Sequence, residues 1–191
     1  RTRLRSPGEL PEPAPTVGIG FSHIAHDPFA KPFSEEVDHS VHYDTKSVAP
    51  ADELSPLREE LNLSVGLERG LRSIGVDPEQ VDGPSLVLAL LQMFGYGVSG
   101  QSHPGSFMAI KDGLSTYILT ENYEKGDYPE LEETVIRRFL ADFNSSGAER
   151  GILLTDKYSP FMIHEIENHQ PKVRFITRER IQGFVDSMAL G

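Results

Sequence analysis

Along this chain of 191 residues the apolar positions become regular only from about residue 83. Residues 1–50 open on "RTRLRSPGELPEPAPT", proline-rich and polar, which favours polyproline or disordered chain over a packed element. "VGIGF" has the composition of a short strand. The following "SHIAHDPFAKPFSEEVDHSVHYD" keeps neither the helical nor the strand period, so 1–50 reads as an extended arm for a partner or for its own domain. Residues 51–82 read as a short helical linker region. "SPLREELNL" offers Ser55 as a cap, Pro56 at the first helical position and acidic residues in the first turn. "VGLERGLRSIGV" predicts a second short helix, weakened by its glycines.

From 83 to 191 the periods name one domain. Ser85 is a candidate cap for "LVLALLQMFGY", apolar nearly all round and so a buried helix. "GVSGQS" predicts a strand, His103-Pro104-Gly105 a turn, and "SFMAI" a second strand. "KDG" predicts a hairpin, because Asp-Gly supplies the positive φ angles of a tight turn. "STYILTE" is the third strand. Pro129 suits a first helical turn, with Leu131, Val135, Phe139 and Phe143 on one face. "RGILLTD" has the continuous apolar run of a strand buried on both faces. Ser159-Pro160 opens a short helix, "VRFIT" is a last strand, and Ile181, Phe184, Val185 and Met188 line a closing helix. The predicted order is α-β-β-β-α-β-α-β-α, an α/β (α+β) mixed sheet flanked by helices. No internal repeat is visible.

Composition narrows the function classes. An apolar fraction of 38% and a charged fraction of 25% are those of a water-soluble protein. Cysteine is absent, which excludes disulfides, thiolate zinc sites and a cysteine nucleophile. No signal peptide and no apolar run of membrane-spanning length is present, so the expected location is cytoplasmic (intracellular) and no membrane partner is expected. The first residue is Arg1 rather than Met, which reads as an excised or processed chain. The net charge of −11 argues against a surface that grips nucleic acid everywhere. The deficit is even: residues 1–80 hold 8 basic and 14 acidic groups, and residues 81–191 hold 10 and 15. A local basic cluster stands out, Lys172, Arg174, Arg178 and Arg180, with Lys157 on a neighbouring loop. These five are the candidate nucleic-acid-binding residues, against the plainer reading of a solvated face.

The strings "LLQMFGYGV", "KDG", "GAERGILLTDKYSP" and "VRFITRERIQGFV", in this order, resemble the Mrr-like branch of the restriction-endonuclease-like (PD-(D/E)XK) nuclease fold. The resemblance runs from about Ser85 to Met188. It implies a metal-dependent nuclease signature: Gly-x-Asp before the hairpin, then Glu or Gln, any residue, and Lys on the next strand. Two oxygen ligands hold a hard divalent cation there, and the lysine positions water and offsets phosphate charge. In a gapless frame Gly105 falls on the glycine, Phe107 on the aspartate, Leu119 on the glutamate or glutamine, and Glu121 on the lysine. Phe107 and Leu119 offer no ligand atom, and Glu121 reverses the lysine's charge. The resemblance therefore implies the fold with a degenerate catalytic motif, no catalytic residue, no metal site and no cofactor.

Other chemistry is thinly supported. His23 and His26, then His39 and His42, form two His-x-x-His pairs in the arm, read as exposed rather than zinc-binding. Asp112 reads as a turn residue, and Glu121 as a strand-end group able to pair with Arg137 or Arg138. There is no Gly-x-Ser-x-Gly elbow, no phosphate-binding Gly-Lys loop, and "GYGVSG" leads into a strand rather than a helix. Three classes stay open. The first is an inactive nuclease-fold module for nucleic-acid-associated binding or assembly, with a protein partner or a second copy engaged through the arm and DNA as a possible ligand. The second is a metal-dependent endonuclease with relocated residues including Glu121, which alone would need Mg2+. The third is a protein–protein interaction domain.

Overall fold

The computed structural model describes residues 54–189. The arm, with "VGIGF" and both His-x-x-His pairs, lies outside the described residues. The described chain forms α1 (Leu57–Glu60), α2 (Val65–Ser73), α3 (Gly83–Met93), β1 (Gly97–Gly100), β2 (Ser106–Lys111), β3 (Leu114–Glu121), α4 (Glu133–Ser146), β4 (Arg150–Thr155), α5 (Ile163–His169), β5 (Val173–Ile176) and α6 (Arg178–Ala189). From α3 onward this is the predicted α-β-β-β-α-β-α-β-α order. The five strands lie side by side in chain order, β1 to β3 antiparallel and β3 to β5 parallel. The architecture is a mixed α/β one, a five-stranded mixed sheet with helices on both faces.

The strands bury both faces because their apolar residues are consecutive and successive side chains point to opposite sides. On β3, Ile118 faces the layer of α1, α2, α3 and α6, while Tyr117 and Leu119 face α4 and α5. On β4, Ile152 and Leu154 take the first side and Leu153 the second. Val135, Phe139 and Phe143 line one face of α4, and Phe139 stacks on Tyr117 and meets Phe175 edge-on. Leu57, Leu61, Leu67 and Leu71, from the segment read as a helical linker, lie in the same buried cluster as Leu90 and Phe184. The predicted hairpin turn is present: Lys111 pairs with Leu114 around Asp112 (φ 52°) and Gly113 (φ 80°), both left-handed as a type I′ turn demands.

Several element starts differ from the sequence expectation, two for a local reason and two because of partners distant in sequence. Ser85 does not cap α3. Asp82 does, and its carboxylate accepts from the Ser85 N–H at 2.8 Å and from its hydroxyl at 3.0 Å, because Pro84 already fits the first turn. Pro56, not Ser55, occupies the cap position of α1, and the Ser55 hydroxyl donates to Glu60 instead. Pro129 is not in the first turn of α4. Its carbonyl accepts from Tyr158 N–H at 2.8 Å and Leu131 N–H donates to Tyr158 O at 2.9 Å, a parallel bridge that holds this stretch extended until Glu133. Ser159 likewise stands ahead of α5, its hydroxyl 2.6 Å from that of Thr177.

Candidate functional site

The carboxyl ends of the parallel strands β3 and β4, where open α/β sheets place their ligands, bring together Glu121 and Lys157, with Arg178 beside them. Glu121 ends β3 and Thr155 ends β4, with Asp156 and Lys157 following directly. Lys157 is almost fully buried at 3% exposure. Its ammonium lies 3.2 Å from an Asp127 carboxylate oxygen and 3.9 Å from one of Glu121. Glu121 also meets Arg138 of α4 at 3.4 Å, so of the two arginines expected as partners it is Arg138 that pairs. The N–H of Glu124 and then Lys157 hold the Asp127 carboxyl below the usual carboxylate range.

Arg178, at the start of α6, is buried a few residues away. Its guanidinium donates to both Glu60 oxygens, at 2.6 and 3.2 Å, to Ser55 O at 2.6 Å and to Asp156 O at 3.2 Å. It thereby ties α1 to the strand ends. The bond from Arg178, with that from the Ser55 hydroxyl, lowers the Glu60 carboxyl pKa. Asp156 is the opposite case: burial raises its pKa, against the Tyr123 N–H bonded to its carboxylate. An open cleft of about 560 Å³ runs alongside, lined among others by Ser55, Arg58, Asp82, Tyr123 and Asp156.

The three positions assigned to the nuclease motif do not converge. Ser106, not Phe107, stands opposite Leu119 in the β2–β3 ladder. Phe107 accordingly packs against the α3 and α6 side of the sheet, while Leu119, 1% exposed, lies among Leu131, Phe139 and Ile163 on the other. A gapless frame therefore sets two supposed ligand positions on opposite faces of one sheet. Gly105, on the motif's glycine, has its own local reason. It has φ +76°, and a Cβ there would stand 2.9 Å from Thr120 O.

The five candidate phosphate-binding cations are not gathered in one patch. Lys157 and Arg178 are joined, with Arg178 N–H donating to Lys157 O at 2.9 Å, but both are buried and ion-paired. Arg180 binds Glu167 at 2.8 Å and Phe175 O at 3.1 Å. Lys172 and Arg174 sit at the other end of β5, Lys172 exposed and Arg174 bonded to Val173 O at 2.9 Å. The burial of Lys157 and Arg178 is what charge counting missed. Glu60 was legible only as a first-turn acid of α1, Asp127 had no local signal, and for Asp156 the one local signal was "TDK" at the end of an apolar strand. Among the described residues, no group of three or more His, Asp or Glu side chains is placed to hold a metal ion. No helix among them is long and apolar enough to cross a membrane.

No protein-family model and no curated protein matches this chain. Two solved structures show weak likeness. The DNA modification-dependent restriction endonuclease AspBHI is 15% identical, with a TM-score of 0.41, over 74% of this chain and 40% of its own. The protein of unknown function AF1548 is 17% identical, with a TM-score of 0.36, over 49% of this chain and 54% of its own. The fold is defined by its own topology, a mixed α/β sheet with strand order β1-β2-β3-β4-β5.

Proposed function

We propose that this chain is a restriction-endonuclease-like domain of Mrr-like type, without the family's metal chemistry, that works as a binding or assembly module. One observation carries the reading: the buried Lys157 ammonium lies 3.2 Å from the Asp127 carboxylate and 3.9 Å from that of Glu121, so the carboxylates at this strand end face a cation of the chain itself. Lys157, shared by the two acids, and Arg138, 3.4 Å from Glu121, together offset both carboxylates internally and leave less oxygen charge for a divalent ion. The apolar packing of Leu119 supports the same reading.

Charge favours a protein over a nucleic acid as the partner. The chain carries −11, and Lys157, Arg178 and Arg180 are each held by carboxylates. Lys172, exposed just ahead of β5, is the cation best placed to meet a phosphate, so DNA contact, where present, belongs at the amino end of β5. Engagement of a partner through residues 1–50 remains part of the proposal.

A second reading has one observation in its favour. Two carboxylates, Glu121 and Asp127, reach the Lys157 ammonium at one end of the sheet, a carboxylate–lysine grouping of the kind a relocated Mg2+-dependent nuclease site would use. Incubating supercoiled DNA with the protein and Mg2+ or Mn2+ separates the two. The assembly reading expects no cutting by wild type or by Glu121→Ala. Cutting by wild type that Glu121→Ala abolishes would replace it with the nuclease.

A further inference from the structure

Three aromatic side chains stand out in solvent beside the charged strand ends: Tyr128 at 62%, Tyr158 at 43% and Phe161 at 98% exposure. Single exposed apolar residues are ordinary, but these come from two loops pinned to each other. The bridge between Glu130 and Tyr158 fixes the β3–α4 loop against the β4–α5 loop. Buried Pro160 anchors the chain just before Phe161. The rings are thus presented on a tied platform rather than on a free tail.

The surroundings decide what such a platform suits. Between residues 121 and 133 the chain carries six acidic side chains and one basic, so phosphate is repelled there. A stacking surface for single-stranded nucleic acid needs the opposite, a cationic groove. The nearest buried cations, Lys157 and Arg178, are already paired. Aromatic faces rimmed by carboxylates suit a guanidinium or ammonium, which gains from the ring face and from the nearby negative charge. One of the three rings already takes part in such a contact, with the Arg178 guanidinium 5.8 Å from the Tyr158 ring centre.

We infer that Tyr128, Tyr158 and Phe161 form a docking surface for an arginine-bearing segment of a partner protein, with Glu130 and Glu132 supplying the acidic rim. This deepens the assembly reading and rests on it, by naming the partner's chemistry.

The test is fluorescence anisotropy of a labelled arginine-rich dodecapeptide, with a glutamate-rich dodecapeptide and oligothymidylate as comparisons. The arginine peptide is expected to bind, more weakly as salt rises. Phe161→Ala should weaken it about tenfold, and Phe161→Leu, which keeps apolar bulk but removes the ring face, nearly as much, while Phe161→Trp retains affinity. Phe161 is almost wholly exposed, so these variants should keep the wild-type circular dichroism. No binding of the arginine peptide to wild type would overturn the inference. So would unchanged affinity in a natively folded Tyr128→Ala/Phe161→Ala variant, or oligothymidylate binding that the same variant abolishes. Glu121-dependent DNA cutting with peptide binding intact would remove the assembly reading alone, so the two failures are distinguishable.

Discussion

Replacing Arg178 by Met tests whether this arginine is part of the fold or part of a phosphate-binding patch. Its side chain is 2% exposed and its guanidinium reaches Glu60, Ser55 O and Asp156 O. Methionine fills most of the volume and removes every donor. The Ser55 and Asp156 carbonyls then each lose a charged donor, at roughly 1 kcal/mol apiece. Glu60 is about half exposed and recovers water, so its loss is discounted to about 1 kcal/mol as well. The expected cost is ~3 kcal/mol, at the lower edge of what breaking a fully buried pair costs. In a domain of this size that lowers Tm by about 10 °C. Urea unfolding followed by circular dichroism measures it, and a double-mutant cycle with Glu60→Gln should return a coupling of roughly 1 kcal/mol. Arg178→Met within ~0.5 kcal/mol of wild type would refute the structural role. An unchanged stability together with a salt-dependent loss of DNA binding would restore Arg178 to the phosphate patch.

Two further outcomes are expected. Glu60 and Asp156 should give opposite pH signatures. The Glu60 carboxyl is depressed in the folded state, so its stabilisation is present above its unfolded pKa and lost as pH falls through the folded value; Glu60→Gln should flatten that acid loss. The Asp156 carboxyl is raised, so its cost is absent below the unfolded pKa and complete above the folded one; Asp156→Asn should gain on wild type as pH rises across that window. Stability curves from about pH 3 to 7, a range that starts about one unit below ordinary carboxylate titration and extends well above it, would contradict the assignment by bending the same way for both variants. Gly105→Ala should cost ~2 to 3 kcal/mol, because positive φ and a close approach to Thr120 O act together. Gly95→Ala, also at positive φ but with open space around it, should cost only about 1 kcal/mol by the same denaturation assay.

Much of the fold could be read locally. The Asp112-Gly113 turn, the consecutive apolar residues of β3 and β4, and the Val135, Phe139, Phe143 stripe of α4 follow rules that act over a few residues, and the structure keeps each of them. Helix starts were less legible, most of all where the competing partner was distant. Pro129 has a sound local claim to a first helical turn, yet a bridge to Tyr158 holds it extended.

The site divides in the same way. The sequence by itself determined which side chains exist to do chemistry: no cysteine, a leucine at position 119, a carboxylate at 121 and an acidic excess. Only the tertiary structure decided which of them meet. The Ser106–Leu119 register turned Phe107 and Leu119 to opposite faces, since a shift of one residue in a ladder reverses the side on which a chain points. Lys157 and Arg178 looked like surface cations and are instead buried against acids from other elements, in the case of Arg178 and Glu60 across 118 positions of sequence. A charge keeps its identity wherever the chain goes, but its environment and its partner are properties of the packed sheet.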